Sequence, residues 1–98
     1  MRIPFLGKYR TLNTVKVSAA ALRHNLGLYR KLCPGKSVCP VLKSNAYGHG
    51  LIEVAKVLDP EKPEFFIVDS LHEAYLLKKA GIKARILILG YTFPENLT

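Results

Sequence analysis

The sequence is poor in several residue types and patterns that define other classes of protein. Among its 98 residues there is no tryptophan, one methionine and only two cysteines. No apolar run approaches the roughly 18 residues that a membrane-spanning helix requires, and the first ten residues lack the long apolar centre of a secretory signal. We therefore expect a cytoplasmic protein without a membrane partner.

The two cysteines also exclude some kinds of site. Cys33 and Cys39 are separated by five residues, a spacing that fits no common metal knuckle or redox pair. A small disulfide-stabilised scaffold would contain more cysteines. The sequence therefore predicts two free thiols and no metal site.

Acidic residues are scarce, and this imbalance would suit a polyanionic partner. Fifteen Lys and Arg residues stand against seven Asp and Glu, which gives a formal charge of +8. The basic residues are nevertheless scattered, without the interleaved aromatic residues of single-strand binders. We expect solvated helix faces and no nucleic-acid partner, with a basic binding module as the alternative.

What the chain does contain is typical of one small globular unit. Apolar residues make up 49%, with six prolines and seven glycines, so residues 1–98 are expected to form a single domain. A unit of this size buries a smaller share of its surface than a larger domain, and its stability should be modest.

Periodicity and turn residues predict alternating strands and helices. The expected elements are a short strand at 14–17, a helix capped by Ser18 and ended by "PGK", a strand at 37–42, a helix at 51–58, a strand at 65–68, a helix opened by the Ser70-x-x-Glu73 capping box and ended at Gly81, and a strand at 85–89. This order is typical of parallel βα units whose sheet is covered on its faces. It fits an open sheet or part of a closed barrel, and both place ligands at the carboxyl ends of the strands.

Lys43 follows the expected strand at 37–42, and therefore lies at such an end. A lysine amine placed there can attack a carbonyl, and the aldehyde of pyridoxal phosphate is the commonest biological carbonyl held in this way. Tyr47 would supply a hydroxyl, and Gly48 and Gly50 would permit close approach of the backbone. The alternative is that Lys43 only extends its amine to water, as most lysines do.

The complete string decides between these interpretations. "VLKSNAYGHG", residues 41–50, closely resembles the pyridoxal phosphate lysine motif of alanine racemases, with Ser44 in place of the usual alanine. The resemblance extends over residues 14 to about 95, although Lys16 and Ser18 replace acidic residues customary in the family.

The resemblance implies the first part of a (β/α)8 TIM barrel in a fold type III pyridoxal phosphate enzyme that interconverts L- and D-alanine. It implies that Lys43 carries pyridoxal 5'-phosphate as an internal aldimine and acts as one of two bases, that Tyr47 binds the cofactor phosphate, and that Leu89 lines the cofactor pocket. It further implies a full-length homodimer, in which the second base is a tyrosine from the partner's C-terminal domain.

A complete barrel takes about 250 residues, so we expect the chain to hold three barrel strands and to lack racemase activity alone. Alternatives are an inactive truncated remnant, a non-catalytic pyridoxal phosphate module without the second base, or a related decarboxylase. The preferred amino acid stays open. In the loop after the lysine, we expect His49 and Asn45 to make structural hydrogen bonds rather than to act on a substrate.

Overall fold

The computed structural model describes residues 12–97. Residues 1–11, on which the expectation about a signal segment rests, lie outside that range. The short strand expected at 14–17 is wrong, because these residues are exposed and form no ladder with the other strands.

The first helix, α1 (Ala19–Leu32), begins as the sequence predicts. Ser18 is the N-cap, and its hydroxyl accepts a hydrogen bond from the amide of Ala21 at 3.1 Å. The helix packs against α3 (Leu51–Leu58) and buries Leu26, whereas the expected apolar residues Tyr29 and Leu32 remain exposed. The buried stripe of α1 is therefore narrower than its apolar spacing indicates.

The other elements follow the predicted order with small differences at their ends. In chain order they are α2 (Lys43–Tyr47), α3, a 3-10 turn (Asp59–Glu61), β1 (Phe65–Val68), α4 (Leu71–Lys79), β2 (Arg85–Ile88) and a 3-10 turn (Pro94–Leu97). The short α2 replaces part of an expected loop, and β2 ends one residue before the predicted boundary.

The two strands pair in parallel, with Phe65 opposite Arg85 and Val68 opposite Ile88. The full strand expected at 37–42 is wrong, since it is reduced to one parallel bridge between Val41 and Ile67. Pro40 gives the reason, because it has no amide to donate to a ladder and contributes only its carbonyl, which accepts from Ile67 at 3.0 Å. The segment at Val41 still runs beside β1 on the side opposite β2.

The core lies on one side of these parallel segments. Phe66 and Val68 are fully buried, together with Leu42 and with Leu77 of α4. Ile67 alternates with Phe66 and Val68 along β1 and is only half-buried. Leu87, which lies opposite Ile67 in β2, is exposed. The expectation that both faces are covered is therefore wrong within residues 12–97, where helices cover one face.

Two further features concern the described chain as a whole. No helix between residues 12 and 97 has both the length and the apolar character needed to cross a membrane. Cys33 is exposed, Cys39 is half-buried, and both are free thiols.

Candidate functional site

The carboxyl ends of the parallel segments meet at one rim. The amide of Leu42 donates to the carbonyl of Ile67 at 2.7 Å, so Lys43 follows directly beside the end of β1. On the other side of β1, the amide of Leu89 donates to the carbonyl of Val68 at 2.9 Å. The prediction that Lys43 lies at the carboxyl end of a parallel sheet is therefore confirmed.

Lys43 differs from the other lysines in its burial. Nine lysines lie within residues 12–97, and Lys43 alone among them is half-buried while the other eight are exposed. Its amine makes no hydrogen bond or ion pair with any group in the described range. No protein group in that range therefore competes with a bound carbonyl for this amine.

The five residues of α2, which we call the lysine turn, include four with a left-handed backbone. The φ angles of Ser44, Asn45, Ala46 and Tyr47 lie between 54° and 56°. L-residues avoid this region at a cost of roughly 1–2 kcal/mol each, and consecutive examples are rare. Strain of this kind persists only where surrounding contacts determine the conformation, and it concentrates at functional sites.

Local contacts hold the lysine turn in shape. The buried Ala46 donates its amide to the carbonyl of Leu42 at 2.7 Å. Asn45 accepts twice from the start of α3: its side-chain oxygen accepts from the amide of Leu51 at 2.8 Å, and its carbonyl accepts from Gly50 at 2.9 Å. The structural hydrogen bonds predicted for Asn45 are therefore confirmed.

His49 also has the structural role that the sequence favours. Its Nδ1 atom lies 2.9 Å from the carbonyl oxygen of Ala46, and its backbone amide donates to the same oxygen at 3.0 Å. Both contacts close the loop that follows the lysine turn.

The other two predicted site residues lie at different points of the rim. Tyr47 is 61% exposed, and its hydroxyl has no hydrogen-bond partner in the described part of the chain. Leu89 is 57% exposed and lies two strand positions from Lys43, with β1 between them. Twice the usual spacing between strands is roughly 10 Å. Lys43 and Tyr47 thus share one turn, and Leu89 lies farther along the same rim.

Glu73 connects the rim to the lysine turn. The sequence did not predict this connection. The serine half of the predicted capping box is confirmed, since the hydroxyl of Ser70 accepts a hydrogen bond from the amide of Glu73 at 3.2 Å. The Glu73 carboxylate instead accepts from Asp69 at 3.0 Å and from Asn45 at 3.4 Å. Only its S-x-x-E spacing signalled a role, and that signal is local to the helix.

Gly90 is a second rim residue that the sequence did not single out. Its amide donates to the carbonyl of Asp69 at 2.9 Å. A β-carbon at Gly90 would overlap that same carbonyl oxygen, so glycine permits the close approach of the two strand ends.

Two cavities of about 680 and 840 Å³ lie away from Lys43. The first is formed by residues immediately before β1 and β2, Pro63 and Ala84 among them, and so lies at the amino ends of the strands. The second lies beside α4 and includes Tyr75 and Asn96. Neither contains a predicted site residue, and parallel sheets bind ligands at the opposite, carboxyl end.

The groups at the rim fit an aldehyde cofactor that carries an anionic group. The amine of the half-buried residue Lys43 could hold the aldehyde, and the hydroxyl of Tyr47 is a free donor in the same turn. A phosphate needs such donors, and neither group is engaged elsewhere within residues 12–97.

Comparison with known proteins finds several that are similar to this chain. Residues 17–98 match the family model described as "Alanine racemase, N-terminal domain". Over 82 residues, the chain is 45% identical to an alanine racemase of Carboxydothermus hydrogenoformans, covering 84% of this chain and 22% of that protein. Over 83 residues it is 42% identical to an amino-acid racemase of Enterococcus faecalis, covering 84% of this chain and 12% of the other.

Solved structures give the same result. An alanine racemase of Clostridium difficile 630 superposes with a TM-score of 0.70 at 43% identity, covering 76% of this chain and 20% of that one. An alanine racemase of Bacillus anthracis with bound L-Ala-P gives a TM-score of 0.73 at 34% identity, covering 80% and 20%. The described residues thus have the parallel α/β architecture of the first part of that family's barrel, and the chain spans about a fifth of most of these relatives.

Proposed function

Because this chain belongs to the alanine racemase family through its N-terminal domain, we propose that it supplies the cofactor lysine of an enzyme that interconverts L- and D-alanine. The cofactor of that enzyme is pyridoxal 5'-phosphate, and residues 1–98 are part of the barrel domain of the enzyme. The observation that carries the proposal is the placement of Lys43, the one lysine in residues 12–97 that is half-buried, at the carboxyl rim of the sheet.

Each rim residue has a distinct role in this proposal. The amine of Lys43 would hold the aldehyde of the cofactor, and would take or return a proton at the Cα atom of alanine. The hydroxyl of Tyr47 donates to the cofactor phosphate, and the exposed side chain of Leu89 forms an apolar wall of the pocket. When bound, pyridoxal phosphate supplies an electron-withdrawing ring that makes the Cα proton acidic.

Racemisation needs a second group on the opposite face of Cα. Lys43 acting alone would return the proton to the face from which it was taken, and would restore the starting enantiomer. We assign the second base to a group outside residues 12–97, contributed in a homodimer of the whole protein.

Reductive labelling tests the role of Lys43. The intact protein is incubated with pyridoxal phosphate, reduced with borohydride and mapped by mass spectrometry. We expect the adduct on Lys43, because it lies at the carboxyl rim of the sheet and its amine has no competing partner. Lys43→Arg should abolish that adduct and lower racemase activity by at least about 10²-fold, since arginine keeps the charge but not the nucleophilic amine.

Lys36→Arg is the matched control, because Lys36 is exposed and precedes the strand-like segment at Val41. It should leave both the adduct and the activity as in the parent protein. Labelling spread evenly over the exposed lysines, with Lys43 no more reactive than Lys36, would contradict the proposal.

A further inference from the structure

The carboxylate of Glu73 connects parts of the rim that are distant in sequence. One oxygen, Oε1, accepts from the amide of Asp69, the residue immediately after β1. The other, Oε2, accepts from the amide of Asn45, 28 residues earlier in the chain. A single side chain thus contacts both the end of the central strand and the lysine turn.

The two contacts differ in strength. The contact to Asp69 has the usual length at 3.0 Å, whereas the contact to Asn45 is long at 3.4 Å. Because the acceptor is ionised, each bond is stronger than a neutral bond of the same geometry. The start of α4, where Glu73 lies in the first turn, also favours a negative charge.

The remaining hydrogen bonds of the lysine turn stay close to it in sequence. They connect Ala46 to Leu42, and Asn45 to Gly50 and Leu51. Such bonds fix the shape of the turn but not its position relative to β1. The turn is tied to more distant elements through the burial of Ala46, the bond from Leu42 to β1 at its base, and the carboxylate of Glu73.

From this geometry we infer that Glu73 is a positioning residue, which holds the amide of Asn45 against the end of β1 and so fixes where the lysine turn presents Lys43. The inference rests on the proposed function for its catalytic meaning. It assigns to Glu73 a role toward the site in addition to its role at the start of α4.

The side-chain chemistry explains why a carboxylate suits this position. Both amides are donors, and a carboxylate offers them two acceptor oxygens. Glutamine has one acceptor, so its amide group must face either Asn45 or Asp69. The longer contact, to Asn45, is the one we expect to be lost.

Amide hydrogen exchange tests the contact without any cofactor. In the intact protein, Glu73→Ala should make the Asn45 amide exchange about tenfold faster, the scale expected for loss of a bond to a charged acceptor. Glu73→Gln keeps the side-chain volume and serves where the alanine variant does not fold. It should accelerate exchange at Asn45 to a similar extent, because its amide group replaces the oxygen that accepts from Asn45.

The second measurement asks whether the lysine is affected. The rate of pyridoxal phosphate adduct formation at Lys43 is divided by the rate at the exposed Lys36 in the same sample. A merely structural loss at α4 would leave this ratio unchanged in the folded protein, whereas loss of positioning should lower it several-fold. Glu53→Gln is the control, because Glu53 also lies in the first turn of its helix and has no bond to the lysine turn.

The outcomes separate the two proposals. Unchanged exchange at Asn45, or an unchanged labelling ratio in a folded Glu73 variant, overturns the role of Glu73. If Lys43 of the parent protein is not selectively labelled, the proposed function fails on its own evidence. Exchange at Asn45 then still decides whether Glu73 fixes the turn.

Discussion

At the scale of single residues, the most unusual feature is the backbone that follows Lys43. Four consecutive L-residues adopt φ angles that glycine usually takes, and glycines occur only later, at positions 48 and 50. Asn45 is suited to such a backbone, because asparagine tolerates the left-handed region and its side chain bonds locally. Ser44 and Ala46 are not, so contacts from outside the turn must maintain it.

Two glycines allow the cost of a left-handed backbone to be measured away from the site. Gly81 has a φ of 86° after α4, whereas Gly27 lies inside α1, and a β-carbon would contact nothing at either position. Gly81→Ala should lower the free energy of unfolding by about 1–2 kcal/mol, because only the backbone conformation opposes the new side chain.

Gly27→Ala is the matched control, and should raise the free energy of unfolding by roughly 0.5–1 kcal/mol through helix propensity. Urea denaturation measures both changes. Equal effects of the two substitutions would show that the backbone conformation at Gly81 is not what determines stability there.

At the scale of elements, the helices differ in how firmly they are attached to the core. α4 buries Ala74 and Leu77, while α1 buries only Leu26 over its 14 residues. Both helices begin after a serine whose hydroxyl accepts a hydrogen bond from a backbone amide. The same cap should therefore have different consequences in the two helices.

Replacement of each serine by alanine tests this difference. Ser70→Ala should lower the free energy of unfolding by about 1 kcal/mol, because α4 unfolds together with the core. Ser18→Ala removes the same kind of bond from α1, and should mainly speed amide exchange in the first turn of that helix. Urea denaturation with segment-resolved hydrogen exchange distinguishes the two. An equal loss of global stability in both variants would contradict the expected weak attachment of α1.

At the scale of the whole molecule, stability depends on one layer between the parallel segments and the helices. Phe66 is fully buried at the centre of that layer, while Phe93, in the segment after β2, is 59% exposed. The ion pair of Arg85 with Glu64, at 3.0 Å, is exposed and should contribute little. Apolar burial is therefore the main stabilising term.

Phe66→Ala should destabilise the fold by about 3–5 kcal/mol, a large part of the total stability of a small domain. Phe93→Ala has the same chemical change at an exposed position, and should alter the free energy of unfolding by no more than about 0.5 kcal/mol. Chemical denaturation of both variants measures the difference. Similar losses would mean that the core is not centred on Phe66.

Much of the architecture follows from the sequence because its signals are local. Ser18 and Ser70 mark helix starts, Gly81 marks a helix end, and two short apolar runs became β1 and β2. The length of the strand at 37–42 was overestimated because Pro40 removes a ladder donor. The burial of Tyr29 and Leu32 was overestimated because α1 contacts the core along a narrow strip.

The motif around Lys43 determined by itself which amine to consider, which cofactor chemistry suits it and which family the chain resembles, since these depend on the order of residue types. Only the tertiary structure decided that the next four residues turn left-handed, that Lys43 is the half-buried lysine of residues 12–97, and that Glu73 contacts the turn. The physical reason is distance along the chain. A hydrogen bond between a carboxylate and an amide 28 residues apart leaves no periodic or local pattern in the sequence. Burial of a side chain likewise depends on how separate elements pack.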